Sequence, residues 1–147
     1  MTRRRNTGTI SKNFSYREFE ASNKADEKGI CNVIMTFEVR DAVKALVDTV
    51  LQPLRDAWGK PLHINSGYRC QELNKEVGGM PTSQHVKGEA ADVACDKPVE
   101  LARLAKALHL PYDQMILYPT FVHFSHRLKG QQRGQILYNK SYKGEKV

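Results

Sequence analysis

Cysteine is scarce in this sequence: Cys31, Cys70 and Cys95 are the only three, and no two of them stand in C-x-x-C spacing. An odd number without that spacing gives no sign of a zinc knuckle or a dithiol redox pair, so free buried thiols are the expectation. Long apolar runs are missing as well. No stretch of about 18 apolar residues occurs, which argues against membrane insertion. The basic start, Thr2-Arg3-Arg4-Arg5, has the charge of a signal-peptide n-region, yet Asn6 to Asn13 holds no apolar core to follow it. Synthesis in a cytoplasm without a signal peptide is therefore expected. Internal repeats and low-complexity segments are also lacking.

What is present is the composition of an ordinary folded chain. Hydrophobic residues make up 40% and charged residues 27%, which sets the chain apart from disordered and membrane classes. Its 147 residues suffice for one domain with a core and fall short of two. The formal net charge is +7. Arg3, Arg4 and Arg5, together with Lys140, Lys143, Glu145 and Lys146, supply most of it, so the body is nearly balanced. Basic tails attract any polyanion loosely. No aromatic residue is interleaved with the arginines to stack on bases, so no specific nucleic-acid partner is expected. Residues 14–138 are read as the domain, and 1–13 and 139–147 as basic flexible tails.

Ser15-Tyr16-Arg17-Glu18 has the form of a capping box and predicts a short helix. Residues 21–33 read as loop. From Thr36 to Trp58, apolar residues fall at Val39, Val43, Leu46, Val47, Val50, Leu51, Leu54 and Trp58, in steps of three and four. That spacing predicts a long amphipathic helix packed on a sheet, with Thr36 as N-cap, a kink at Pro53 and a stop at Gly59. Short strands are expected at 62–65, 90–94, 114–118, 121–125 and 135–138, with helices at 71–77 and 98–108. Strands and helices without regular alternation predict an α+β fold: a small, mostly antiparallel sheet with flanking helices.

Chemistry concentrates in Ser83-Gln84-His85-Val86-Lys87-Gly88-Glu89-Ala90-Ala91-Asp92 and, thirty-one residues after that Asp, in Phe121-Val122-His123-Phe124-Ser125. Two imidazoles and a carboxylate form a common catalytic zinc set with a fourth position left for water. On a straight helix His85 and Asp92 would stand about 10 Å apart along the axis, too far for one ion. The chain must bend between them, and Gly88 is where it can turn with positive φ. If 89–93 is a strand, Asp92 and Ala90 share a face and Glu89 points away, which makes Glu89 a poor base. The same alternation groups Phe121, His123 and Ser125, and turns His126 to the other face. His63 is read as structural and His109 as solvent-facing.

Taken in order, Ser66-Gly67-Tyr68-Arg69, Leu73-Asn74, Val77-Gly78-Gly79, the block from Ser83 to Asp92, Tyr112-Asp113-Gln114 with Ile116, and Phe121-Val122-His123-Phe124-Ser125 resemble a known family. It is that of the zinc D-alanyl-D-alanine carboxypeptidase-like peptidases, which share the hedgehog/DD-peptidase fold. The resemblance covers roughly residues 14–138. It implies a Zn2+ held by His85, Asp92 and His123, and a substrate contact from Ser83. It also implies that Arg69 holds a substrate carboxylate or steadies the charge on the scissile carbonyl oxygen, work that suits a bidentate guanidinium.

The activity implied is hydrolysis of D-amino-acid peptide bonds in peptidoglycan stem peptides by a monomeric enzyme. Delivery to the wall would follow release during phage or prophage lysis. One departure stands out. Family members carry a Glu or His shortly before the last ligand, whereas this chain has Ile116-Leu117-Tyr118-Pro119-Thr120. Asp113 and Tyr118 are the stand-ins for base or proton donor, and only one of them can face the metal because they fall on opposite faces of a regular strand. Two alternatives follow: cleavage of the L-alanyl-D-glutamate bond instead, or a catalytically silent zinc-stabilised binding module.

Overall fold

The computed structural model describes residues 8–147; the basic run at Arg3–Arg5 lies outside them. The chain opens with a hairpin, β1 (Thr9–Ser11) and β2 (Phe14–Ser15). Ile10 and Phe14 are buried, so the part of the leading segment from residue 9 onward packs on the domain. The capping box then starts α1 (Tyr16–Glu20): Glu18 N–H donates to Ser15 Oγ, and Ser15 N–H donates back to the Glu18 carboxylate. The segment 21–33, expected as loop, contains a helix, α2 (Asn23–Lys28), capped by Ser22 and ended by Gly29 at φ 67°. It was hidden because only Ala25 along it is buried, leaving no apolar periodicity to read.

The long helix forms in three pieces. α3 (Phe37–Leu46) starts at the Thr36 cap, a π-helical turn covers Val47–Leu51, and α4 (Gln52–Trp58) ends at Gly59 in the left-handed region. Pro53 has no N–H to give, and the wider turn before it, in which Gln52 N–H reaches back to Val47 O, absorbs the fault that was expected as a kink. Val43, Leu46, Val47, Val50, Leu51 and Leu54 are fully buried along the predicted stripe, with Val39 and Trp58 at its edges.

Five strands make the main sheet: β3 (His63–Ser66), β4 (Ala90–Ala94), β5 (Gln114–Leu117), β6 (Phe121–Ser125) and β7 (Gln135–Tyr138). Their order is β3-β4-β6-β5-β7; all neighbours are antiparallel except β5 and β7, which run parallel. The fold is thus α+β with a small, mostly antiparallel sheet. Between β3 and β4 lies α5 (Gln71–Glu76), and between β4 and β5 lies α6 (Pro98–Ala107). Ala91, Val93, Val122, Phe124, Met115 and Leu117 turn one sheet face onto the long helix and α6 in a single core. The alternate residues, Asp92, His123 and Ile116, are left for the opposite face.

Residues 139–147, read from the sequence as a tail, lie against the domain. Arg103 binds Glu145 Oε2 at 3.0 Å and the Lys146 carbonyl at 2.8 Å, and Val147 N–H donates to Tyr138 Oη at 2.8 Å. The cysteines are unpaired as expected but not buried: Cys31 is exposed, and Cys70 and Cys95 are half-buried. No described helix is long and apolar enough to cross a membrane.

Candidate metal centre

His85 sits in a coiled loop of successive turns that runs from Met80 to Gly88. Ser83 N–H closes on Met80 O, Val86 N–H on Ser83 O and Gly88 N–H on His85 O. Gly88 has φ 76°, and a Cβ there would stand 2.7 Å from the Val39 carbonyl. The glycine thus both turns the chain and lets it lie against α3, bringing His85 back over the strand that carries Asp92.

Asp92 and His123 are direct partners across β4 and β6, so register alone places their side chains together. Asp92 Oδ1 lies 2.9 Å from His123 Nδ1 and 3.4 Å from His85 Nε2. One ligand atom from each of the three falls within 4.8 Å of the others, close enough to converge on one ion. His85 Nδ1 is 2.7 Å from Gly67 O. A carbonyl only accepts, so Nδ1 carries the proton and Nε2 keeps its lone pair for a metal.

The electrostatics suit ligands. Burial pushes the Asp92 carboxyl up, but the His123 hydrogen bond and the two adjacent imidazoles outweigh it and hold the group well below the usual carboxylate range. Burial pulls His85 below the ordinary imidazole value against the pull of Asp92, which favours the neutral form a metal needs.

Around this cluster lies a cleft of about 580 Å³, bordered by Arg69, Ser83, Gln84, Ile116, Tyr118 and Arg133 among others. Arg69 is stitched to the first ligand through its backbone N–H, which donates to His85 O at 3.1 Å. Its Nε is buried without a hydrogen-bond partner. Ser83 borders the cleft and also accepts from His85 N–H at 3.2 Å. Tyr118 faces the cleft, stacked on Phe121 with ring centroids 4.3 Å apart. Burial raises its phenol above the ordinary value.

Of the two stand-ins for a base, Asp113 is on the other side. It is fully buried and gripped by Arg133, with Nη2 to Oδ2 at 2.7 Å and Nε to Oδ1 at 3.1 Å. Gln84 Nε2 donates to it at 3.2 Å, and Arg127 Nε lies 3.4 Å away. Burial pushes its carboxyl up, and the Arg133 side chain and backbone N–H overcome that and hold it low. Asp113 therefore fixes Gln84 and Arg133 at the rim and does not reach the cluster. Glu89 points away from the cluster and accepts from Leu128 N–H. His63, His109 and His126 also lie outside the cluster of three.

Two residues that matter here were not read from the sequence. Asn32 is buried and fully bonded: it donates to Glu20 O and Tyr68 O and accepts from Cys70 N–H, clamping the backbone on both sides of Arg69. Arg133 borders the cleft through a partner twenty positions away. Neither has a local signal, since each acts through contacts distant in sequence.

A stretch of 44 residues is 46% identical to the zinc D-Ala-D-Ala carboxypeptidase of Streptomyces albus G, over 29% of this chain and 17% of that protein. The match thus spans about a sixth of that relative. The family model described as peptidase M15 matches residues 12–126, from the turn of the β1–β2 hairpin to just past His123. On that span the chain belongs to the peptidase M15 family.

Proposed function

We propose that this protein is a zinc peptidase that hydrolyses D-amino-acid peptide bonds in the stem peptides of peptidoglycan. The observation that carries the reading is the convergence of His85, Asp92 and His123 within 4.8 Å on the floor of a cleft that Arg69 also borders. The donors fit the ion: two neutral imidazole nitrogens and one ionised carboxylate are a zinc set, with the His85 tautomer already fixed by Gly67 O. Similarity to a zinc D-Ala-D-Ala carboxypeptidase supports the same metal and substrate class.

When bound, zinc polarises a peptide carbonyl and makes a nucleophile of water near neutral pH. The remaining work falls to the chain. Arg69 presents an unpaired, buried Nε and a planar fork to the oxygen that gains charge during attack, or to a substrate carboxylate. Tyr118, held protonated by its raised pKa, donates a hydrogen bond to the same developing charge. Ser83 orients substrate at the rim while steadying the backbone of His85. Among the described residues Asp92 is the only carboxylate bordering the cleft, and it is itself a candidate ligand.

The test is incubation of the zinc-loaded protein with purified peptidoglycan, reading new amino termini and released fragments by mass spectrometry. Fragments ending at D-alanine are expected. Fragments from the L-alanyl-D-glutamate bond would move the cut within the same substrate, and no product with zinc bound stoichiometrically overturns the reading.

A further inference from the structure

Arg133 borders the cleft with half of its guanidinium in use. Its Nε and Nη2 grip the Asp113 carboxylate, Nε to Oδ1 at 3.1 Å and Nη2 to Oδ2 at 2.7 Å, which takes one edge of the planar fork. Nη1 has no part in that grip, so the edge it shares with Nη2 is left for another acceptor. The Asp113 side chain is 0% exposed and that of Arg133 37%. The carboxylate therefore holds the guanidinium from within. The loop around it is already built: Gln132 accepts from Arg127 N–H at 2.7 Å and donates back to Arg127 O at 2.9 Å, Arg133 N–H donates to Asp113 Oδ1 at 2.7 Å, and Gly134 turns into β7 at φ 64°. A side chain fixed in this way loses little freedom on binding. Arg133 also lies beyond residues 12–126, the span that the family model matches, so that likeness assigns it no part.

The charge at this rim does not cancel. Arg127 Nε lies 3.4 Å from the same carboxylate, so two guanidiniums share one anion and a unit of positive charge is left over. Gln84, Gln114, Ile116 and Tyr118, which border the cleft beside Arg133, bring no anion to meet it. Arg69 is the other guanidinium of the cleft, with a buried Nε that has no partner, and its work is at the scissile oxygen or a terminal carboxylate. It follows β3, whereas Arg133 precedes β7, and these are the two outer strands of the sheet, with Asp92 and His123 on β4 and β6 between them. A substrate that satisfies Arg69 thus still faces a second cation across the metal position.

Resting on the proposed peptidase reading, we infer that Arg133 is a specificity residue whose open edge receives a second carboxylate of the substrate, on the side of the metal position away from Arg69. The substrate class is then an acidic peptide whose side carboxylate near the scissile bond is free and not amidated. A carboxylate presents two acceptor oxygens to the fork, whereas a carboxamide presents one oxygen and a donor that meets the guanidinium donors head on. Stem peptides can carry such a group on D-glutamate or on diaminopimelate, and the shared chemistry is the free carboxylate.

The experiment uses the zinc-loaded full chain and three synthetic stem peptides: one with both side carboxylates free, one amidated only on D-glutamate, and one amidated only on diaminopimelate. Amidation of one of the two groups should lower kcat/KM about tenfold, the loss of a charge-assisted pair of hydrogen bonds, and the sensitive position names the group that Arg133 meets. Arg133→Lys keeps a cation beside Asp113 but has no second planar edge, so the free and amidated peptides should then be cut within about twofold of each other. Lys129→Gln removes a cation that does not border the cleft and should keep the full preference. Wild-type protein that cuts all three peptides equally, a preference that survives in Arg133→Lys, or one that vanishes in Lys129→Gln would each overturn the inference while leaving the peptidase reading intact. Where Arg133→Lys does not fold, the wild-type preference decides by its salt dependence: it should shrink as ionic strength rises, and a preference indifferent to salt overturns the inference. No cleavage of any peptide by zinc-bound protein overturns both readings.

Discussion

Asp92 and His123 stand directly opposite each other on β4 and β6, with Oδ1 2.9 Å from Nδ1. This pairing is a property of strand register, and a slip of one residue in either strand would turn its member of the pair toward the core. Asp92→Asn keeps the shape but removes the charge that a dication and two imidazoles require. The variant should lose stoichiometric zinc, measured by inductively coupled plasma mass spectrometry. Retention of a full equivalent would show that the ion is held elsewhere.

Metal removal should be visible in stability. A ligand present at a hundred times its dissociation constant stabilises the folded state by about 2.7 kcal/mol, worth about 5–10 °C in a domain of this size. Chelation is expected to lower the melting temperature by that amount, and zinc to restore it. The same treatment of Asp92→Asn should do nothing.

Arg69 is argued to act by its fork as much as by its charge. Arg69→Ala should reduce kcat/KM about 10²–10³-fold with zinc content unchanged, and Arg69→Lys should recover only a small part. Full recovery by lysine would reduce its role to that of a point charge. Loss of zinc in either variant would make it a structural residue, since its backbone N–H is tied to His85 O.

Asp113 gives a pH-dependent test away from the metal. Its carboxyl is held below the unfolded value of 3.8, so its contribution to stability is complete above that value and is lost as pH falls through the lower folded pKa. Asp113→Asn leaves Arg133 and Arg127 facing a neutral amide. It should cost about 2–4 kcal/mol near pH 7, and the gap between the two proteins should narrow below pH 3.8. Denaturant midpoints at several pH values would read this. A gap independent of pH would assign Asp113 to packing alone.

How legible the molecule was depends on the range of each interaction. The stripe from Val43 to Leu54 was readable because helical periodicity is local, and Gly88 because a seven-residue bend between two ligands needs a residue tolerant of positive φ. The helix Asn23–Lys28 was missed although Ser22 and Gly29 mark its ends, since a six-residue helix with one buried side chain has no period to show. The tail 139–147 looked flexible by its charge, and its contacts with Leu117, Arg103 and Tyr138 are distant in sequence and leave no local signal. In the site, the convergence of His85, Asp92 and His123 was legible from residue types and spacing. The fate of Asp113 was not, because its partner Arg133 lies beyond the motif and two turns away, and nothing in either local sequence signals the pair.

Gly67 offers a way to disturb the centre without touching a ligand. Its carbonyl accepts from His85 Nδ1 at 2.7 Å, and the next residue, Tyr68, donates its N–H to Phe19 O at 2.7 Å. A Cβ on Gly67 would meet Phe19 Cα at 2.7 Å and its ring at 2.6 Å, and backbone cannot swing aside as a side-chain tip can. Phe19 is fully buried, so in Gly67→Ala the Gly67 segment must move instead, taking its carbonyl away from His85. Partners of this kind are worth about 10–100-fold in metal affinity. Zinc affinity should fall by that factor, read by competition with a chelating dye, with all three ligands still in the chain. Unchanged affinity would mean that His85 holds its tautomer without Gly67, and the reading of Nε2 as the metal-facing nitrogen would lose its main support.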